Sequence, residues 1–232
     1  MPRRDAALLF TCEHGGNRIP RRWAALFKNH RALLDSHRGW DPGALTLARA
    51  LSKSTGAPLV ASTTSRLLVD LNRSEHHRAV FSSVTFALPD AERERILDEF
   101  YRPYRRRVEQ WIAAAVVHAR VVHVSAHSFV PVLNGETRRA DVALLYDPSR
   151  KPEKEFCDAW IADLKAELPS LALRRNSPYR GSADGLTTAL RRRHPAKNYI
   201  GVEIEVNQRL LGSGDFAGVT RALTRTLKAR FS

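Results

Sequence analysis

The chain has 232 residues, of which 43% are hydrophobic and 27% are charged. A chain of this length and apolar content can bury a sizeable core, which argues against intrinsic disorder. No uninterrupted apolar stretch reaches the roughly 18 residues that a membrane-spanning helix needs, which argues against membrane insertion. The two cysteines are too few for a disulfide framework, and we therefore expect a cytoplasmic protein.

The formal net charge of +14 is the unusual feature of the composition. Such an excess ordinarily indicates a nucleic acid or another anionic partner. The arginines, however, occur in scattered pairs and triplets, such as residues 105–107 and 191–193, and they form no tail. We favour a solvated arginine-rich surface and keep a basic nucleic-acid-binding protein as the alternative.

Short apolar runs alternate with segments of helical period, which predicts an α/β protein. The predicted strands cover residues 6–11, 58–61, 66–71, 121–127, 141–146, 171–174 and 199–206. Several of them are apolar at successive positions, as is typical of strands that helices cover on both faces.

Four helices have recognisable starts. They are expected after Asp41-Pro42 with Asp41 as the N-cap, from Asp90 with a kink at Pro103, after Pro152, and after Asp215 as the N-cap. The chain shows no internal repeat and no obvious linker, so we expect residues 1–232 to form one domain. The polar loops at 75–89, 128–140 and 176–198 follow predicted strands, where the ligands of open α/β sheets bind.

Histidines follow two of these strands. His14 lies at the end of the first one, beside two glycines, where it could bind a metal or a substrate, although a lone histidine at a turn is often structural. His123 and His127 share one face of a later strand about 13 Å apart, at a rise of about 3.3 Å per residue, so they cannot both bind one ion. His127, at the carboxyl end, is the better candidate, and we expect His123 to be buried and hydrogen bonded.

Two carboxylates lie on one face of the last predicted strand. Glu203 and Glu205 alternate with valine and isoleucine, and burying a carboxylate is costly unless it is paired or bound to a metal. At least one of them is therefore expected to be functional. The alternative is an edge strand with one wet face.

The third predicted strand and the residues at its end carry several polar groups. Arg66, Asp70, Asn72 and Arg73 gather there, and a guanidinium beside an amide makes a good receptor for a carboxylate. A structural salt bridge from Asp70 to Arg66 or Arg73 is the alternative, and both interpretations can hold together.

Taken together, the motifs resemble those of the N-formylglutamate amidohydrolase family. They are CEHGGNRIP at 12–20, GWDPGA at 39–44, SRLLVDLNRS at 65–74, HVSAHSF at 123–129, NSPYRG at 176–181 and GVEIEVNQ at 201–208. The family is distantly similar to zinc carboxypeptidases and to the aspartoacylase and succinylglutamate desuccinylase group. The resemblance implies a three-layer α/β/α fold with a central mixed, largely parallel sheet, and one catalytic zinc ion per chain.

The resemblance also implies a set of metal ligands. His14 and His127 are the expected zinc ligands. The relatives carry a zinc-binding glutamate three residues after the first histidine, where this chain has Asn17. Asp41 is our choice for the third ligand, and its alternative role is that of a helix N-cap.

The same resemblance implies roles in catalysis and substrate binding. Glu205 is the expected general base, with Glu203 as a neighbour that positions it or raises its pKa. Arg66 or Arg73 would stabilise the oxyanion. The substrate-binding residues implied in this way are Asn72, Arg73, Arg138, Asn176, Tyr179 and Arg180.

The implied activity is metal-dependent hydrolysis of a small anionic N-acyl amino acid, with an N-formyl group as the first choice. A related zinc amidase with another acyl specificity is the alternative within the same class, since pocket loops are where relatives diverge.

Overall fold

The structure is a computed structural model that describes residues 6–231. Its strands are β1 Ala6–Cys12, β2 Leu59–Ala61, β3 Arg120–Phe129, β4 Val132–Leu133, β5 Glu136–Thr137, β6 Val142–Leu145, β7 Leu173–Arg175 and β8 Tyr199–Asn207. Its α-helices are α1 Arg31–Asp35, α2 Ala44–Thr55, α3 Ser83–Phe86, α4 Asp90–Ile96, α5 Arg102–Ala115, α6 Lys151–Glu167, α7 Leu186–Arg193 and α8 Asp215–Ala229. A π-helical turn, Leu97–Tyr101, joins α4 to α5.

Six strands form a mixed and largely parallel sheet in the order β2-β1-β3-β8-β6-β7. Within this sheet only β6 and β8 pair in antiparallel fashion, and β4 and β5 form a separate antiparallel hairpin. The chain is therefore an α/β protein, as the sequence predicts. Within the described residues, no helix is both long and apolar enough to cross a membrane.

Helices pack on both faces of the sheet. One buried cluster contains Leu47 of α2, Trp160 of α6 and Leu223 of α8. The cluster on the other face contains Tyr104 of α5 and Leu190 of α7. This three-layer arrangement confirms the predicted fold class, and it explains the nearly continuous apolar runs in β3 and β8.

The predicted strand over residues 66–71 is wrong, because these residues form a buried turn. The Ser65 hydroxyl accepts the N–H of Leu67 at 3.2 Å, and the Ser65 carbonyl accepts the N–H of Leu68 at 3.0 Å. The Leu67 carbonyl then accepts the Ser82 hydroxyl at 2.6 Å instead of a strand partner. The run is apolar because the turn is packed inside the second cluster, not because it belongs to the sheet.

Two predicted helix starts also differ. Asp41 does not cap α2: Gly43, at a φ of 84°, precedes the first residue, Ala44, and no side chain caps this end. The Asp41 carboxylate is turned into the candidate site instead. Likewise α8 begins at Asp215 after Gly214, so Asp215 is the first helical residue and not the cap.

Candidate metal centre and active site

The pairing of β3 with β8 places the first candidate residues side by side. The two strands run parallel, with Ser125 next to Glu203 and His127 next to Glu205. Strand β8 lies between β3 and β6, so the two glutamates are on an interior strand and the edge-strand alternative is wrong. His14 follows the end of β1, the other neighbour of β3. The candidates thus meet at the carboxyl edge of the parallel strands, where ligands of such sheets bind.

His14, Asp41 and His127 form a buried cluster. One ligand atom from each residue lies within 4.8 Å of the others. The Asp41 Oδ2 atom is 3.4 Å from His14 Nδ1 and 2.9 Å from His127 Nδ1. Two imidazoles and one carboxylate make up a donor set that zinc accepts, with one position left for water or substrate. These residues could therefore hold a metal ion.

The far nitrogen of each histidine contacts a second carboxylate. His14 Nε2 is 2.7 Å from Asp70 Oδ1, and His127 Nε2 is 3.1 Å from Glu13 Oε2. The Ser125 hydroxyl also donates to Glu13 Oε2, at 2.5 Å. Such outer carboxylates fix the orientation of a metal-binding histidine and raise its basicity, so their presence fits a metal centre.

The charges of the cluster reinforce one another. Burial disfavours ionisation of Asp41, but His14 and His127 hold its pKa well below the usual range of a carboxyl. Burial likewise opposes the charge on Asp70, but Arg66 and His14 keep the pKa of Asp70 well below its usual range. Both carboxylates are therefore ionised at neutral pH, as metal binding or orientation of a ligand requires.

Glu205 differs from these carboxylates. Burial raises its pKa to about 8, the nearby charge of His127 opposes the increase, and the carboxylates of Asp41 and Glu203 add to it. Its Oε2 atom is buried and has no hydrogen-bond partner among residues 6–231. Glu203 instead accepts a hydrogen bond from the Thr187 hydroxyl at 2.6 Å. A buried carboxyl with a free oxygen beside a candidate metal centre is suited to proton transfer.

Arg66 lies against both aspartates. Its Nη2 atom donates to Asp70 Oδ2 at 2.6 Å, and its Nη1 atom is 3.6 Å from Asp41 Oδ1. The predicted salt bridge from Asp70 to Arg66 is thus confirmed. The guanidinium also lines the cavity above the cluster, so the structural contact does not remove it from the candidate site.

Asn72 and Arg73 follow the buried turn and reach the same cavity. The Asn72 Oδ1 atom accepts the first N–H of α7, from Leu186, at 2.7 Å, and its Nδ2 atom lies 3.4 Å from His127 Nε2. Arg73 donates from Nη1 to the Asp184 carbonyl at 3.0 Å, and Asp184 accepts the Ser74 hydroxyl. These contacts hold Asn72 and Arg73 in place at the cavity wall. Both are the residues expected to bind a substrate carboxylate.

The later loops contribute in different ways. Tyr179 and Arg180 line the cavity. Arg138 does not line it, but it donates from Nη1 to the Tyr179 hydroxyl at 2.6 Å and lies over that ring. Asn176 is also outside the lining: its Oδ1 atom accepts the N–H groups of Tyr146 and Gly181 at 3.0 and 2.9 Å. Asn176 thus shapes the loop that carries Tyr179 and Arg180.

The cavity has a volume of about 190 Å³ and holds the candidate centre together with most of the expected residues. It also includes His37 and Asp184, which sequence reasoning missed, as it missed the contact of Glu13 with His127. A glutamate directly before His14, at the end of a buried strand, was an available signal for Glu13. His37 gave none.

Two other expectations are decided by the geometry. His123 is fully buried, and its ring nitrogens lie 2.8 Å from the Thr11 and Tyr199 hydroxyls, as predicted for a structural histidine. Asn17 donates to Asp35 at 2.8 Å on the exposed side of its loop, so it is absent from the cluster and Asp41 stands in the third position.

Comparisons with known proteins identify the family of the chain. The sequence profile of the N-formylglutamate amidohydrolase family matches residues 6–211. The crystal structure of the gene product Atu2144 from Agrobacterium tumefaciens is 32% identical, with a TM-score of 0.78, over 98% of this chain and 92% of that one. The comparison with curated proteins found no match.

Two more distant structures are similar over nearly the whole chain. A bacteriophage poly-gamma-glutamate hydrolase is 12% identical with a TM-score of 0.45, over 99% of this chain and 86% of that one. The CwlD amidase from Clostridioides difficile, in complex with the GerS lipoprotein, is 11% identical with a TM-score of 0.47, over 96% of this chain and 97% of that one. The family profile and the Atu2144 structure together show that the chain belongs to the N-formylglutamate amidohydrolase family, and that it is a hydrolase acting on amide bonds.

Proposed function

We propose that the chain is a zinc-dependent hydrolase that cleaves the amide bond of an acidic N-formyl amino acid such as N-formylglutamate, releasing formate and the free amino acid. The observation that carries this proposal is the convergence, in one small cavity, of three candidate metal ligands and the Glu205 carboxyl with its unpartnered Oε2 atom. Family membership supports the acyl group, and the arginines of the cavity support an anionic substrate.

The residues fit a zinc ion in three respects. The donor set is two histidines and one carboxylate, the histidines are oriented by Asp70 and Glu13, and all five groups are buried. Zinc bound by His14, Asp41 and His127 would supply a Lewis acid that allows water to lose a proton near neutral pH. Proton transfer and substrate binding are carried out by side chains of the protein.

Glu205 acts as the general base in this proposal. It takes a proton from the attacking water as a bond forms between the water oxygen and the formyl carbon. It then donates that proton to the amide nitrogen as the carbon–nitrogen bond breaks, so that the amine leaves neutral. Glu203 is fixed by Thr187 and keeps a second negative charge near Glu205, which favours the protonated form of Glu205.

Arginines account for the charge of the substrate. Arg66 lines the cavity and stabilises the negative oxygen of the tetrahedral intermediate. Arg73 and the Nδ2 group of Asn72 receive the α-carboxylate. Arg180, at the cavity wall, receives a side-chain carboxylate, and Tyr179 closes the wall with Arg138 stacked behind it.

The test is hydrolysis of N-formyl-L-glutamate by the zinc-loaded protein, with release of the free amino acid as the readout. N-acetyl-L-glutamate tests the acyl group, and N-formyl-L-leucine tests the acidic side chain. We expect the highest kcat/KM for N-formylglutamate, loss of activity on dialysis against a chelator, and recovery with one equivalent of zinc.

Three results would contradict parts of the proposal. Full activity after zinc has been removed, verified by elemental analysis, would exclude the metal. A higher kcat/KM for N-acetylglutamate would indicate a related amidase with another acyl specificity. Equal turnover of the leucine and glutamate substrates would exclude recognition of a second carboxylate.

A further inference from the structure

The π-helical turn between α4 and α5 contacts the segment that carries Arg73. It spans Leu97–Tyr101, and the N–H of Arg102 donates to the carbonyl of Leu97. Pro103 follows within the first turn of α5. Such turns are rare in proteins, and those that do occur are often found at functional sites. Compared with a continuous α-helix, one inserted residue rotates the residues that follow by about 100° around the helix axis. The π turn therefore sets which side chains of α5 face the sheet.

Tyr104 of α5 reaches the metal half of the site. Its hydroxyl donates to Glu13 Oε1 at 2.8 Å and also lies 3.2 Å from the Val60 carbonyl. The other oxygen of Glu13 faces His127 Nε2 at 3.1 Å. Glu13 is fully buried and Tyr104 is 8% exposed, so no bulk water can replace this contact. A chain of hydrogen-bonded side chains thus runs from α5 through Glu13 to a candidate metal ligand.

Tyr101, at the end of the π turn, reaches the substrate half. Its hydroxyl donates to the Arg73 carbonyl at 2.7 Å. Arg105 lies over the Tyr101 ring and donates from Nη1 to the carbonyls of Leu71 and Arg73, at 3.2 and 3.4 Å. These contacts fix the backbone of the segment whose side chains, Asn72 and Arg73, face the cavity.

We infer that Tyr101 and Tyr104 are positioning residues that fix the two halves of the site independently, Tyr101 acting through the Arg73 backbone and Tyr104 through Glu13. This inference rests on the proposed function for its link to turnover. Ile96 of α4 belongs to the same buried cluster as both tyrosines, so the chain is packed on both sides of the π turn.

The test compares Tyr101→Phe and Tyr104→Phe, each of which removes only a hydroxyl group. Tyr199→Phe is the matched control, because it removes a fully buried hydroxyl bound to His123, which does not line the cavity. We expect Tyr104→Phe to weaken zinc binding by up to about tenfold, since it acts one step beyond the outer carboxylate. We expect Tyr101→Phe to raise KM by about fivefold, the effect of one ordinary hydrogen bond, with zinc affinity unchanged. The control should change neither quantity.

Double variants show whether each tyrosine acts through the partner we name. In a Glu13→Ala background, Tyr104→Phe should cause no further loss of zinc affinity, and in an Arg73→Ala background, Tyr101→Phe should raise KM by less than it does in the wild type, since only Asn72 remains to be positioned. Additive losses would overturn the assigned routes. Equal changes in zinc affinity and KM in both single variants, or in the control, would show a general loss of structure and overturn the division of labour.

The readouts also separate this inference from the proposed function. Zinc affinity of Tyr104→Phe is measured by competition with a chelator and needs no substrate. Amide hydrogen exchange over residues 70–74 tests Tyr101 in the same way, and Tyr101→Phe should accelerate it while Tyr104→Phe should not. If the wild-type protein hydrolyses none of the N-formyl substrates, the proposed function fails, whereas these two measurements still support or overturn the inference.

Discussion

Glu205 lies next to His127 across the parallel pairing of β8 with β3, and one of its carboxyl oxygens is buried without a hydrogen-bond partner among residues 6–231. In most buried carboxyls such an oxygen is satisfied, because an unmet acceptor is costly. Here it stands beside the cluster of His14, Asp41 and His127. The fold therefore maintains an uncompensated polar atom at the position where the proposed reaction needs a base.

The first prediction concerns turnover by Glu205→Gln. Glutamine keeps the size of the side chain but cannot take up a proton, so kcat should fall by about 10² to 10⁴-fold. Zinc content should remain at one per chain, because Glu205 is not one of the candidate ligands. Steady-state kinetics together with elemental analysis check both parts. Retention of kcat within a few-fold would exclude Glu205 as the base.

The second prediction concerns stability against pH in the zinc-free protein. The pKa of Glu205 is raised from 4.5 to about 8 by burial, so the folded state holds this proton more tightly than the unfolded state does. The stabilisation is complete below about pH 4.5 and is lost as the pH rises through about 8, at no more than about 1.4 kcal/mol per pH unit.

Glutamine at this position does not titrate, so the difference between the two proteins isolates the contribution of Glu205. From pH 5 to pH 8, the free energy of unfolding of Glu205→Gln should rise relative to that of the wild type. Urea denaturation at several pH values measures it. Parallel curves over this range would show that Glu205 has an ordinary pKa.

The third prediction concerns the outer carboxylates. Glu13→Gln keeps the size of the side chain, but it replaces one accepting oxygen with an NH2 group and removes the charge that faces His127. Loss of such a partner typically weakens metal binding by about 10 to 100-fold. Asp70→Asn should act in the same way through His14. Competition with a chelating dye measures the dissociation constant. Unchanged zinc affinity in both variants would show that the carboxylates serve the fold alone.

The fold class and the main candidate residues could be predicted from sequence because their signals are local. Apolar runs and helical periods are readable along the chain, and His127, Glu203 and Glu205 lie near the carboxyl ends of strands that were predicted correctly. The turn at residues 66–71 could not be distinguished from a strand, since burial on all sides produces the same apolar run in either conformation.

Contacts between distant segments left weaker traces in the sequence. Tyr104 and Glu13 are 91 residues apart, and helical spacing alone classifies Tyr104 as a core residue. The π turn also has no readable signature beyond Pro103, which predicted a kink but not its form. The sequence left Asp41 as either a helix cap or a metal ligand. The structure excludes the cap, because Gly43 precedes the first residue of α2.

The fourth prediction separates the two polar residues that competed for the third ligand position. Asp41→Asn should reduce zinc binding strongly, because it replaces the carboxylate shared by His14 and His127 with a neutral amide. Asn17→Ala is the matched control, since Asn17 contacts Asp35 outside the cluster. Its zinc affinity should equal that of the wild type. The reverse pattern would return the ligand role to Asn17.

The last prediction concerns recognition of the substrate carboxylates by Arg73 and Arg180. Each charge-assisted pair contributes about 1.5 to 3 kcal/mol, so loss of one guanidinium should raise KM for N-formylglutamate by about 10 to 100-fold. Arg180→Ala should have this effect only on substrates with an acidic side chain, whereas Arg73→Ala should also impair N-formylleucine, because it receives the α-carboxylate. Arg73→Lys serves as a second variant, because Arg73 also donates to the Asp184 carbonyl and its loss can shift the loop. The lysine keeps the positive charge in that case. Steady-state kinetics on both substrates measure these effects, and an Arg180→Ala variant that loses activity on both equally would assign Arg180 to the α-carboxylate instead.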